Sequence, residues 1–235
     1  MTISVVLPAY QEAENLKNIL PNIHKVLASV NHEILVIDTM EPMDNTREIC
    51  LANDARYVPR TGGNFYGDAI RTGFASATGK YTVIMDADGS HDPREILNFL
   101  EVMEQGKTDL VIGSRYCKGG YTDNNFILRF MSWALNVTYR VLFGLKVKDV
   151  SDSFRMYKTE QIQKVQFECD NFDIVEEILI KLSYTFQPYV IRELPISFNK
   201  RAAGESKRDL VKFIFSYITT IQKLLRIKRS AVKGG

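Results

Sequence analysis

Between residues 3 and 115, short apolar runs rich in β-branched residues take turns with helical patterns, and that alternation leaves the chain few folds to choose from. Ile3 to Pro8, His32 to Asp38, Arg56 to Pro59, Tyr81 to Met85 and Leu110 to Arg115 read as strands. Helical spacing fills the gaps, beginning with Leu16, Leu20, Ile23 and Leu27. A strand, a helix and another strand in succession call for a crossover connection. The expectation is therefore an α/β fold with a mostly parallel sheet and helices on both faces. Sheets of that kind bind ligands beyond the carboxyl ends of their strands.

The fourth run ends in Asp86-Ala87-Asp88-Gly89-Ser90-His91-Asp92-Pro93. Carboxylates at i and i+2 point to the same side of a strand, so Asp86 and Asp88 can face one ligand. Oxygen ligands of this type suit a hard cation, Mg²⁺ or Mn²⁺, shared with a diphosphate. An Asp-rich turn with Asp88-Gly89 at its tip reads equally well from these residues alone. Gly89 should break the strand, and Asp92-Pro93 should open a helix. The strand ends after Leu7, Ile37 and Met85 would bring Tyr10, Glu12, Asp38, Asp86 and Asp88 to one crevice. Such a crevice suits a nucleotide, with Tyr10 stacking on a base and the acids serving base, ribose and metal. The glycine-rich loop at 62–73 lacks the Gly-Lys-Ser/Thr ending of a phosphate-binding loop. It also follows the third strand, whereas the dinucleotide fingerprint follows the first. Arg60, Asp68 and Arg71 nearby read as ordinary surface charges.

Past Arg115 the pattern changes. A polar loop leads into an apolar helix from Phe126 to Leu145, which Arg129 and Arg140 interrupt too often for it to span a bilayer. A final helix, Leu210 to Ile227, is apolar on one face and basic on the other, as interfacial helices are. From Lys200 onward 10 Lys/Arg face only Glu205 and Asp209, a local +8 that, set against the chain's +2, leaves the rest at −6. A basic tail on an acidic body suggests an anionic partner such as a membrane surface. Nucleic acid is not expected, because the acidic crevice would repel its phosphates. Three cysteines and three histidines, all scattered, point to neither a disulfide framework nor a zinc site. With no basic-plus-apolar leader before the first strand, a cytoplasmic setting at the inner face of a membrane is expected.

LPAYQEAENL, the DADGSHDP strand end, GSRYCKGG, DVSDSFRMY and KRAAGESK fall in the order seen in dolichyl-phosphate mannose synthases. Over roughly residues 3 to 215 the chain resembles these members of the family 2 glycosyltransferases of GT-A fold. The resemblance implies a metal-dependent, inverting transfer of sugar from a nucleotide-sugar to a polyprenyl phosphate. It implies a transferase domain at 1–207, with a nucleotide half at 1–115 and an acceptor half at 116–207, followed by a basic amphipathic helix and tail at 208–235. Pro8, Ala9, Tyr10, Glu12, Ile37, Asp38, Gly67, Asp86 and Ala87 would bind the nucleotide, and Arg201 and Lys207 would close over it. Asp88 and Ser90 would hold the metal, Arg115 would meet the diphosphate-sugar, and Arg129, Ser132, Ser153 and Arg155 would take the acceptor.

Thr39 departs from that family pattern, because it stands where a second acid usually contacts the base. The donor therefore stays open, and a binding protein without turnover remains a rival reading. A glycan hydroxyl is the alternative acceptor and needs a general base, for which Asp173, Glu176 and Glu177 are the candidates. A homo-oligomer is also possible on the resemblance.

Overall fold

The computed structural model describes residues 1–199, 217 and 219–228. The expected strands form as β1 (Ile3–Pro8), β2 (His32–Asp38), β3 (Arg56–Pro59), β4 (Tyr81–Ile84) and β5 (Leu110–Ser114). They are joined by α1 (Ala13–Val26), α2 (Thr46–Ala52), α3 (Tyr66–Ser76) and α4 (Glu95–Glu104). Then come β6 (Tyr121–Thr122), α5 (Phe126–Phe143), β7 (Arg155–Lys158), α6 (Thr159–Gln163), α7 (Ile174–Thr185), β8 (Ile191–Pro195) and β9 (Ser197–Phe198).

One sheet carries seven strands in the order β3-β2-β1-β4-β7-β5-β8, so residues from both sides of position 115 build it. All its pairings are parallel except those of β7 with β4 and β5. After β5 the chain stays at the carboxyl edge and re-enters the sheet from there, so β7 has to run backwards. Side chains alternate between two apolar layers, as a pleat requires. Ile3, Val5 and Leu7 pack with Leu16, Leu20 and Phe99, while Ile84 and Ile112 face Phe74, Tyr139 and Ile178 on the other side. Burial on both faces explains why β1 and β4 read as largely apolar runs, broken only by the buried Ser4 and Thr82.

From β1 the chain moves outward through β2 and β3, then crosses to the opposite side of β1 to make β4. The connections leaving β1 and β4 therefore diverge, which opens a crevice at their carboxyl ends. One local expectation differs from the structure. Helix α4 starts at Glu95 instead of Asp92-Pro93. Asp92 accepts the Arg94 N–H at 2.9 Å and pairs with its guanidinium, which closes a turn ahead of the helix. Thr46 is the first residue of α2, and Asp44 serves as its acceptor at 3.1 Å while also accepting the Ala13 N–H of α1 at 3.1 Å.

Of the final helix, Tyr217 and 219–228 are described. The basic amphipathic pattern led us to expect its apolar face toward lipid. Tyr217 and Leu224 are instead buried in the second layer, and Ile221, Leu225 and Ile227 pack against it. Tyr217 donates to Glu176 at 3.3 Å, Thr220 donates to Asp173, and Lys228 donates to the Leu142 carbonyl at 2.6 Å. Among the described residues α5 carries a cluster of open apolar side chains, Phe126, Ile127, Phe130, Trp133 and Val141, each more than half exposed. No helix among the described residues is long and apolar enough to cross a membrane.

Candidate active site

A cavity of about 370 Å³ opens where the β1 and β4 connections part. Pro8, Ala9, Tyr10 and Glu12 wall it from β1, and Asp86, Ala87 and Asp88 from β4. Arg60, Asn64, Phe65 and Tyr66, from the end of β3 to the start of α3, and Asn171 and Phe172, ahead of α7, complete it. Seven residues expected around a nucleotide or metal thus meet on one cavity.

Antiparallel pairing of Ile84 with Arg155 places Ser153 beside Asp86, two residues out on each strand. The Ser153 hydroxyl donates to Asp86 Oδ1 at 3.0 Å and so orients that carboxylate. Asp88 Oδ1 accepts the Ser90 N–H at 3.0 Å across a turn in which Gly89 takes φ +80°, a left-handed conformation that suits glycine. Ser90 is fully buried, and its hydroxyl has no hydrogen-bond partner among the described residues. A buried hydroxyl left unsatisfied beside a carboxylate fits a hard cation. Among the described residues no three His, Cys, Asp or Glu side chains form a ready cage. That donor set suits Mg²⁺ or Mn²⁺, which keep few protein ligands and complete their shell with phosphate and water.

Behind this edge lies a buried polar chain. The Asp86 N–H donates to His91 Nδ1 at 3.2 Å, so the ring proton sits on Nε2, 3.5 Å from Asp152. The His91 ring stacks on Phe154 with centroids 4.7 Å apart. Arg115 lies 3.0 Å from Asp152, is held by Asp149 at 2.8 Å and donates to Ser151 at 2.9 Å. Ser151 in turn contacts Ser132 at 3.1 Å, which links one expected acceptor residue to Arg115. Arg129, three residues earlier on α5, is exposed.

Other sequence-predicted residues sit off the cavity. Arg155 is fully buried, and its guanidinium donates to the Val175 and Val150 carbonyls at 2.9 and 2.6 Å. Glu177 accepts the Glu168 and Cys169 N–H groups at 3.0 and 2.8 Å and pairs with Lys181 at 2.8 Å. Asp173 is 3% exposed. At Gly67 an added Cβ would come 2.0 Å from the Cys169 carbonyl oxygen, so glycine lets α3 dock on the segment before α7. Ile37 is a core residue of β2. Asp38 is 1% exposed, accepts from Tyr57 at 3.3 Å, and has its pKa raised by burial and by the nearby Asp44 charge. Thr39 is buried and spends its hydroxyl on the Glu41 carbonyl at 2.6 Å. Arg201 and Lys207 lie outside the described residues.

The surface-charge reading of Arg60, Asp68 and Arg71 is corrected. Arg60 is 6% exposed and donates to the Ala9, Asn64 and Phe65 carbonyls. Asp68 is buried, accepts the Phe65 N–H at 3.0 Å, and is paired by Arg71 at 2.6 Å. Those three charges assemble the wall that sequence reading missed. The signal available was the glycine-rich segment directly after a strand.

Comparison with known proteins agrees with this geometry. The glycosyl transferase family 2 model matches residues 4–166. Dolichol-phosphate mannosyltransferase of Pyrococcus furiosus is 33% identical over 233 residues, 96% of this chain and 64% of that protein, so the chain spans less than two thirds of its length. Polyprenol monophosphomannose synthase of Mycolicibacterium smegmatis is 34% identical over 215 residues, 86% of this chain and 79% of the relative. Among solved structures, glucosyl-3-phosphoglycerate synthase of Mycobacterium tuberculosis with Mn²⁺, UDP and glucosyl-3-phosphoglycerate has a TM-score of 0.74 at 20% identity. It covers 96% of this chain and 79% of its own, a likeness that speaks for the fold. The chain belongs to glycosyl transferase family 2.

Proposed function

We propose that the chain is a glycosyltransferase that moves a sugar from a nucleotide-sugar to a polyprenyl phosphate, inverting the anomeric centre. The observation that carries this reading is the cavity at the divergence of β1 and β4, with Tyr10 and Glu12 on one wall and Asp86 and Asp88 on the other. Tyr10 stacks on the base, and Asp86, oriented by Ser153, takes the ribose. Asp88 and the Ser90 hydroxyl hold Mg²⁺ or Mn²⁺. Such an ion, when bound, supplies counter-charge for the departing diphosphate. On the family resemblance, Arg201 and Lys207 would add positive charge for that diphosphate.

Two observations favour a lipid phosphate over a sugar hydroxyl as acceptor. A phosphate is already an anionic nucleophile and needs no general base. Asp173, Glu176 and Glu177, the candidate bases, are buried in contacts of the α7 region and do not line the cavity. The exposed apolar face of α5 also gives the protein a surface that can lie in a bilayer interface beside its acceptor. Incubation with labelled nucleotide-sugars, Mn²⁺ and either polyprenyl phosphate or soluble saccharides tests the reading. Label should enter the organic phase with the lipid; label on saccharides alone would overturn the acceptor assignment.

A further inference from the structure

The turn that carries Asp88 and Ser90 is held from behind by a carboxylate to which the proposed reaction gives no part. Residues 86–91 form that turn beyond β4, and the His91 ring closes it by accepting the Asp86 N–H on Nδ1 at 3.2 Å. Asp88 and Ser90 lie between those two residues, so the seating of the ring sets how their oxygens are presented. Phe154 stacks on the ring at 4.7 Å, Phe198 meets it edge-on at 5.3 Å, and the Asn199 N–H donates to the Ser90 carbonyl at 3.0 Å. The aromatic contacts fix the plane of the imidazole without fixing which edge faces Asp86. A ring flipped by half a turn would keep both contacts and put a carbon where Nδ1 now meets the Asp86 N–H.

Asp152 supplies the missing direction. It is 2% exposed, its Oδ1 accepts the Phe154 N–H at 2.8 Å, and the same oxygen lies 3.5 Å from His91 Nε2. That nitrogen has no hydrogen-bond partner of its own among the described residues. The separation is longer than a good hydrogen bond, yet a buried negative charge attracts an N–H with little screening. Burial by itself raises the Asp152 pKa, but the Arg115 charge, followed by His91, outweighs burial and brings it below the ordinary value. Arg115 does not need this carboxylate, because Asp149 already takes its Nε and Nη2 at 2.8 Å each as a two-pronged pair. Arg115 thus keeps the charge tolerable in the interior, and His91 is the group on which the charge acts. We infer that Asp152 is a positioning residue for the metal turn, holding Asp88 and Ser90 in place through His91. This inference rests on the nucleotide-sugar and metal reading above.

Calorimetric titration of the full chain with UDP, GDP, CDP and ADP, each with Mn²⁺ and with EDTA, tests it. The quantity read is the gain in affinity that Mn²⁺ confers on whichever nucleotide binds best. An outer partner of a metal site is worth about 10- to 100-fold in metal affinity, so Asp152→Asn should shrink the gain by about tenfold or more. His91→Phe, which keeps a ring between Phe154 and Phe198, should do the same. Metal-free affinity should stay at the wild-type value, because Ser153 still orients Asp86. If Asp152 acts through His91, the double variant should lose no more than His91→Phe alone, since effects along one chain of contacts do not add. An undiminished gain in either single variant, additive losses, or an equal fall with and without Mn²⁺ overturns the inference. His91→Phe decides the matter should Asp152→Asn fail to fold. A wild type that binds no nucleotide, or gains nothing from Mn²⁺, overturns the donor and metal reading itself, and this inference with it.

Discussion

Glu176 shows how a single side chain can mislead a reading of sequence. In Asn171-Phe172-Asp173-Ile174-Val175-Glu176-Glu177 it looks like one of several acids poised for proton transfer. It lies fully buried at the start of α7, and burial, aided by the Asp173 charge and opposed by Arg155, pushes its pKa up to about 8. The folded state therefore holds a proton that the unfolded chain releases near 4.5, the ordinary glutamate value. Stability is then highest below the unfolded value and falls as pH rises toward 8, by at most ~1.4 kcal/mol per pH unit for one group. Glu176→Gln keeps an acceptor for Tyr217 and removes the titration. Denaturant melts from pH 5 to 8 should show a flatter stability profile for the variant than for the wild type; equal slopes would refute the assignment. Asp86 and Asp88 were legible because apolar β4 runs straight into them. Arg60 was not, because its worth lies in carbonyls brought to it from β1 and from the segment before α3.

At the scale of elements, β1, β2 and β4 could be read from sequence because burial on both faces leaves a largely apolar run. The 151–157 stretch reads as strand-like and forms β7, but its direction could not be read, because that follows from where the chain re-enters the sheet. The C-terminal helix departs from its expected interfacial role for a similar reason. Periodicity shows that a helix has an apolar face without showing what covers it. In the described part of the C-terminal helix, Tyr217 and 219–228, the apolar side chains pack against the core, and α5 keeps Phe130 and Trp133, stacked with centroids 5.9 Å apart, in the open. Each such side chain gains on the order of 2 kcal/mol when it leaves water. Phe130→Ser with Trp133→Ser should cut co-sedimentation with anionic vesicles at least tenfold while leaving the melting temperature unchanged. Undiminished sedimentation would remove α5 from the membrane contact.

For the whole molecule, strand order decides where chemistry can happen. The reversal around β1 puts one cavity between the Pro8–Glu12 wall and the Asp86–Asp88 wall. The wall opposite β1 and β4 was the least legible part, because it comes from the β3–α3 segment and from two residues ahead of α7, far apart in sequence. The central claim is that Asp88 serves metal-dependent transfer to a polyprenyl phosphate. Its most direct test is label transfer to that lipid as a function of Mn²⁺, comparing the wild type with Asp88→Asn. The account predicts saturable, chelator-sensitive transfer by the wild type and at least a hundredfold loss in a variant that melts at the same temperature, the scale of removing a group that stabilises the transition state. Asp88→Asn retaining wild-type transfer, or wild-type transfer indifferent to chelator, would contradict it.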